Sequence, residues 1–178
     1  ELTMLYNQGY RSVVLAPGNY GEDFATNVLG IPPHRIVNMS NFVGHVLKEV
    51  QRIGFTRVLM VGHMGKFVKV AGGIFSTHSK DSDARMEIIM ANLALLGAPV
   101  ELLEKVDQCI TTDAAGTFIE EYHYEEVYQV LVDKMKFRSE RLLRNRKPEV
   151  SIDVVTFGTE AGYLASTQTL EEIAEEWT

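Results

Sequence analysis

Residues 57–66 read Arg-Val-Leu-Met-Val-Gly-His-Met-Gly-Lys, a short apolar run followed by a turn with two glycines. Such a run, ended by a glycine turn and followed by a helical pattern, is typical of a buried strand in a parallel sheet. Residues 12–16 repeat the arrangement, a third apolar run covers 151–157, and a weaker one covers 35–37. We therefore predict an α/β fold with a mainly parallel sheet, helices on both faces and Rossmann-like layering.

Helical periodicity fills the segments between these runs. An apolar stripe that begins at Phe42 predicts a helix that Asn41 caps and Gly54 ends. Thr169 and Glu172 have the spacing of a capping box for the last helix. Other helices are expected at 84–96, 100–108 and 124–144, with a turn near 111–113.

Length and composition suit one domain over residues 1–178, with 46% apolar and 23% charged residues. Because the sequence opens at Glu1 inside a helical pattern, we expect it to be the C-terminal part of a longer protein. Cys109 is the only cysteine, so no internal disulfide can form. The most apolar stretch, 88–100, is shorter than the ~20 residues that a membrane span needs. A cytoplasmic protein without a membrane partner is the expectation.

The net charge of −7, from 17 basic and 24 acidic residues, argues against nucleic acid as a partner. The charge is uneven along the chain. Residues 57–85 hold five basic and two acidic side chains, and residues 134–147 hold seven basic and one acidic. We interpret the second run as the solvated face and C-terminal end of a long helix, where cations suit the helix dipole. Local anion sites are therefore compatible with an acidic chain.

Three glycine-containing turns follow predicted strands, at 17–23, 62–66 and 158–162. Ligands of open parallel sheets bind outside the carboxyl ends of the strands, where these turns meet. Glycine lets the backbone approach a ligand closely, and helix N-termini offer free N–H groups. Each turn alone is equally well an ordinary strand-to-helix connection. Their common edge is the stronger argument for a site.

Several catalytic motifs are absent. Residues 62–66 resemble a P-loop only superficially, because Phe67 follows the lysine where the motif needs Ser or Thr. Neither a dinucleotide fingerprint nor a nucleophile elbow occurs, and the histidines have no metal-ligand spacing, so no metal site is predicted. The polar stretch 76–85 is either a solvated loop that caps the next helix or a loop that holds a polar ligand beside His78. Asp113 is most simply a helix N-cap, and the alternative is that it faces the site.

Five segments of the chain carry a resemblance to a known family. They are Pro17-Gly18-Asn19-Tyr20-Gly21-Glu22-Asp23-Phe24, Ser40-Asn41-Phe42-Val43-Gly44, Val61-Gly62-His63-Met64-Gly65-Lys66, residues 71–80 and residues 83–88. Through these segments the chain resembles the CbiD family, the cobalt-precorrin-5B C1-methyltransferases of the anaerobic cobalamin pathway. The resemblance is specific from about residue 15 to 97 and looser after Asp113.

The resemblance implies S-adenosylmethionine as methyl donor, a cobalt-bearing tetrapyrrole as acceptor and a further N-terminal region. With it, the donor is expected at Gly18, Asn19, Gly21, Asp23, Asn41 and Gly62. The carboxylates of the acceptor are expected at Lys66, Lys69, Ser79, Lys80 and Arg85. His63 or His78 is expected to take a proton if one leaves the macrocycle.

Two alternatives stay open. The chain is either the enzyme itself or a noncatalytic module that binds a nucleotide or corrinoid and needs a partner domain. An unrelated nucleotide-dependent enzyme is a third reading, which the absent phosphate motifs weaken. The motifs do not distinguish contacts with the donor from contacts with the acceptor.

Overall fold

A five-stranded sheet lies at the centre of the computed structural model, which describes residues 1–178. The strands are β1 (Ser12–Ala16), β2 (Ile36–Asn38), β3 (Arg57–His63), β4 (Ser151–Gly158) and β5 (Gly162–Ser166). Their order is β2-β1-β3-β4-β5, and the first four are parallel. β5 is antiparallel to β4 and was not predicted, since residues 158–162 read as a strand-to-helix turn. The predicted α/β fold with a mainly parallel sheet is confirmed.

Nine α-helices surround the sheet and fill both of its faces. They are α1 (Leu2–Asn7), α2 (Gly18–Asn27), α3 (Val43–Ile53), α4 (Met64–Ala71), α5 (Arg85–Leu95), α6 (Val100–Asp107), α7 (Thr112–Glu121), α8 (Val127–Leu142) and α9 (Leu170–Trp177). None of them combines the length and the apolar character that crossing a bilayer requires.

Alternation along the strands divides the core into two clusters. In β3, Val58 and Met60 point into a cluster of 33 buried residues, whereas Leu59 and Val61 point into a cluster of 10. The larger cluster includes side chains of α3, α4 and α8, with α5–α7 on the same side, and the smaller one is closed by α2 and α9. Both faces of the central strands are therefore buried, which explains their uninterrupted apolar sequence.

The capping residues read from the sequence predicted some helix ends correctly and others wrongly. Gly54 ends α3 with a φ of 121°, and Thr169 and Glu172 form the expected capping box. The N-cap prediction for Asn41 is wrong, because Phe42 occupies that position and is 62% exposed. The expected turn near 111–113 is the start of α7, whose N-cap Thr111 accepts a hydrogen bond from the Ala114 N–H.

Candidate functional site

The carboxyl ends of β1, β3 and β4 meet at one edge of the sheet, as their parallel pairing requires. His63 at the end of β3 lies opposite Phe157 of β4, and the two rings meet edge to face with centroids 5.5 Å apart. The first two turns lead into α2 and α4, whereas the third turns back into β5. Only two of the three predicted turns therefore present a helix N-terminus at this edge.

The glycines of the first turn have local structural reasons. Gly18 has a φ of 74°, and its N–H donates to Asn38 Oδ1 at 3.1 Å. A Cβ on Gly21 would lie 2.8 Å from the Val61 carbonyl oxygen, so glycine here lets α2 approach β3. Asn19 and Asp23 are exposed, and their side chains form no hydrogen bond. The turn is exposed enough to contact a ligand. Its two glycines, however, are already required by the backbone conformation and by the packing of α2 on β3.

His63 connects the second turn to the third. Its Nδ1 accepts the Gly65 N–H at 2.9 Å, which makes His63 the N-cap of α4. Its Nε2 lies 3.0 Å from Thr159 Oγ1 and 3.3 Å from Asp113 Oδ2. Because Nδ1 is an acceptor here, the neutral ring carries its proton on Nε2 and donates it. Gly62, just before it, leaves room for the ring of Phe67, which a Cβ would approach to 2.5 Å.

Asp113 faces the sheet edge where the turns meet. It is not the N-cap of α7, which is Thr111, so the second of the two alternatives for Asp113 holds. Its Oδ1 accepts the Thr159 N–H at 2.9 Å, and its Oδ2 accepts the Thr159 hydroxyl at 2.8 Å. Partial burial opposes ionisation, but the hydrogen bonds from Thr159 and the nearby His63 outweigh it and lower the pKa of Asp113. Asp113 therefore stays an anion that ties α7 to the β4–β5 hairpin.

A cavity of about 900 Å³ opens beside His63, Asp113 and Thr159. It lies between α7, the start of α8 and the β4–β5 hairpin. We call it the acidic cavity, because Asp113, Glu120, Glu125 and Glu160 line it and no lysine, arginine or histidine does. Tyr128 also lines it, and burial together with the charges of Asp113, Glu125 and Glu120 raises its pKa to about 12. Sequence reasoning singled out Asp113 and the turn at 158–162, which line this cavity, but missed the walls that α7 and α8 contribute.

The loop after α4 is held by buried polar contacts. Lys69 is only 2% exposed, and its Nζ donates to the Thr77 carbonyl oxygen at 2.9 Å. Burial, and then the positive charge of Arg85, lower the pKa of Lys69. Asn41 Oδ1 accepts the Thr77 hydroxyl at 3.2 Å, so both side chains position the loop. His78 is exposed, and its Nδ1 accepts the Lys80 N–H at 3.0 Å.

Comparison with known proteins decides the family. Residues 76–168 match the family model described as "CbiD, C-terminal domain". The chain belongs to the CbiD family. It is 59% identical over 177 residues to a protein of Listeria monocytogenes serotype 4a (strain HCC23) named cobalt-precorrin-5B C(1)-methyltransferase. That alignment covers 99% of this chain and 48% of the relative.

More distant relatives bear the same name. The Clostridioides difficile (strain 630) protein is 42% identical over 98% of this chain and 43% of its own length. The Citrobacter koseri protein is 43% identical over 99% of this chain and 46% of its own length. The chain thus spans about half the length of these curated relatives, and no solved structure matches it significantly.

Within this CbiD-family chain, the predicted acceptor residues divide into two groups. Lys69 is committed to Thr77, and Arg85 is committed to Asp83 at 2.9 Å and to the Ile110 carbonyl at 2.8 Å. The other three, Lys66, Ser79 and Lys80, form no side-chain hydrogen bond or ion pair. These three are available to a ligand, and the first two hold the loop that carries the polar stretch.

The basic run at 57–85 does not act as one patch. Arg57 lies at the opposite end of β3, where it pairs with Asp153 at 2.6 Å and with Glu176 at 2.6 Å. Four basic and two acidic side chains remain in the segment at the site. The run at 134–147 is not purely solvated either, since Lys136 bonds to Glu140 and to the Ile152 carbonyl.

Proposed function

We propose that this chain takes part in S-adenosylmethionine-dependent methyl transfer to C-1 of cobalt-precorrin-5B in anaerobic cobalamin biosynthesis. Its similarity to the Listeria relative, 59% identity over nearly the whole chain, carries the proposal. Because the chain spans half of that protein, the activity, the substrates and a cytoplasmic location are proposed together with a contribution from further protein sequence.

The chemistry asks for alignment rather than for a protein nucleophile. S-adenosylmethionine supplies an electrophilic methyl group, and transfer to carbon is an in-line displacement that gains most from proximity and orientation. The chain offers a suitable framework, since His63, Asp113 and Thr159 hold three elements in fixed contact at the sheet edge. The hydroxyl and carboxylate groups around them match the hydroxyls and the cationic groups of the donor.

The acceptor carries many carboxylates, which basic and hydroxyl side chains can bind. Lys66 and Lys80 carry unpaired positive charges, and Ser79 adds an exposed hydroxyl. Lys69 and Arg85 act indirectly, because they hold the loop that presents Ser79 and Lys80. The unpaired charges of Lys66 and Lys80 attract the carboxylates of the acceptor and so favour productive encounter.

The two histidines share a geometry that limits proton transfer. In both, Nδ1 accepts a backbone N–H two residues later, so the neutral ring presents Nε2–H as a donor. The basic nitrogen of each ring, Nδ1, is occupied by the backbone N–H. To act as the base, either ring must first give up this hydrogen bond. His78 has no partner at Nε2, whereas His63 donates to Thr159 and Asp113, so His78 is the freer of the two.

Transfer of a labelled methyl group tests the function. The chain alone, the Listeria relative and a hybrid in which this chain replaces the matching part of that relative are assayed with cobalt-precorrin-5B. We expect transfer by the relative and the hybrid. A folded hybrid that transfers nothing, beside an active relative, would contradict the proposal and favour a noncatalytic binding module. Normal turnover in the hybrids with His63→Ala and His78→Ala would contradict the base role.

A further inference from the structure

The acidic cavity has a strongly negative lining that the chain itself does not neutralise. Glu120, Glu125 and Glu160 form no ion pair and no side-chain hydrogen bond, and Asp113 is an anion. Carboxylates that converge on one cleft repel an anionic ligand and concentrate a cationic one. A tetrapyrrole with many carboxylates is therefore a poor occupant. A ligand with positive charge is the favoured one.

Two side chains that line the same cavity are more than nine-tenths buried and end in hydroxyls without a partner in the chain. Tyr128 is 7% exposed and Thr112 is 6% exposed, and neither side-chain oxygen takes part in a hydrogen bond within the chain. Both side chains line the cavity, so their unpaired hydroxyls are placed to bond to a ligand there that has hydrogen-bonding groups. Gly116 keeps the space in front of Tyr128 open, since a Cβ there would lie 2.9 Å from the tyrosine oxygen.

The cavity also has the size and the place of a ligand site. Its volume of about 900 Å³ falls within the ~300–1,000 Å³ usual for small-molecule sites. It borders the carboxyl ends of β3 and β4, where Asp113 and Thr159 contact His63. By contrast, the conformation and packing of the first turn already require Gly18 and Gly21, so these glycines do not by themselves indicate a ligand.

We propose that the acidic cavity is the binding site for the methyl donor, S-adenosylmethionine. The carboxylates of Glu120, Glu125 and Glu160 face its sulfonium and ammonium charges, and the hydroxyls of Thr112 and Tyr128 bond to its polar groups. This inference rests on the proposed function, and it moves the donor from the first glycine turn to α7, α8 and the β4–β5 hairpin. Lys66 and the loop at 76–85, with its unpaired Lys80, are left for the acceptor.

Calorimetric titration of the chain with S-adenosylmethionine and with S-adenosylhomocysteine tests it. The two compounds differ by one methyl group and one positive charge. The inference expects tighter binding of the sulfonium compound, with a preference that shrinks as salt is added. Glu125→Gln should weaken the sulfonium compound about 2- to 5-fold and the thioether less. Glu126→Gln is the matched control, because this adjacent exposed carboxylate lies outside the cavity.

The Tyr128→Phe variant provides a second, independent test of the site. It should weaken both compounds about 2- to 10-fold and leave the melting temperature unchanged, because the chain loses no internal hydrogen bond. Failure of both compounds to bind, or wild-type affinities in Glu125→Gln and Tyr128→Phe, would overturn the inference. Neither result touches the labelled-methyl assay, in which the hybrid alone decides the proposed function.

Discussion

The two buried charged side chains of this protein, Asp153 and Lys69, are held in different ways. Asp153 in β4 is 7% exposed, and it binds Arg57 at 2.6 Å and the Thr167 hydroxyl at 2.6 Å. Burial alone would raise the pKa of Asp153, but the bonds from Thr167 and Arg57 and the charge of Lys136 lower it. Lys69 has a single carbonyl partner, and burial lowers its pKa. The first arrangement holds the sheet together, and the second holds a loop.

Replacing Asp153 with Asn should destabilise the fold by about 3 kcal/mol at neutral pH, because the partly buried Arg57 loses a charged partner. A group with a lowered pKa contributes stability above its ordinary pKa of about 3.9, and that contribution is lost as the pH falls through its native pKa. The wild type should therefore lose stability more steeply than Asp153→Asn below about pH 4. Urea unfolding across this pH range, with the exposed Asp23→Asn as control, makes the measurement. Parallel pH profiles would contradict the assignment.

At the scale of elements, glycines set how closely two helices approach their neighbours. Gly21 on α2 faces the Val61 carbonyl of β3, and Gly44 on α3 would place a Cβ 2.9 Å from Phe75. The first approach holds the N-terminal half of α2 against β3 at the candidate site, and the second holds the start of α3 against the loop after α4. The glycine pattern that carries the family resemblance therefore has packing as one of its physical reasons.

Gly21→Ala should destabilise the protein by about 1–3 kcal/mol, because a Cβ 2.8 Å from a backbone oxygen cannot be relieved without moving α2. Asn19→Ala, an exposed position on the same helix, should change stability by less than about 0.5 kcal/mol. Thermal unfolding of both variants distinguishes them. Equal stability of the two would show that α2 yields freely, contrary to this packing argument.

At the scale of the whole molecule, the two core clusters share one sheet. Trp177, the only tryptophan, is 1% exposed in the smaller cluster, whereas most helices lie over the larger one. On the side of the smaller cluster, Arg57 ties the sheet to α9, since it pairs with Glu176 of α9 and with Asp153 of β4. We expect that neither side folds without the other.

Urea unfolding followed by Trp177 fluorescence and by far-ultraviolet circular dichroism should give the same midpoint and slope. The physical reason is that β1, β3 and β4 contribute side chains to both clusters, so loss of either exposes the other face. This result would support the predicted single domain over residues 1–178. An earlier fluorescence transition would contradict it and would show that α2 and α9 separate first.

Much of the fold follows from local pattern. The uninterrupted apolar runs at 12–16, 57–61 and 151–157 predicted three strands, because a strand buried on both faces has no polar face to reveal. Parallel strands then bring their glycine turns to one edge. β5 escaped prediction, since its burial depends on packing beside β4 and Gly162 reads as a turn.

The sequence by itself therefore determined the α/β class, the central strands, the sheet edge at which their turns meet and the family. Only the tertiary structure placed Arg57 at the far end of β3, buried Lys69 against Thr77 and turned Asp113 toward His63. Only it formed the acidic cavity, whose walls come from α7, α8 and the β4–β5 hairpin. The physical reason is range: strand and helix periodicities act within one element, whereas a cavity and its electrostatic potential arise where distant elements pack together.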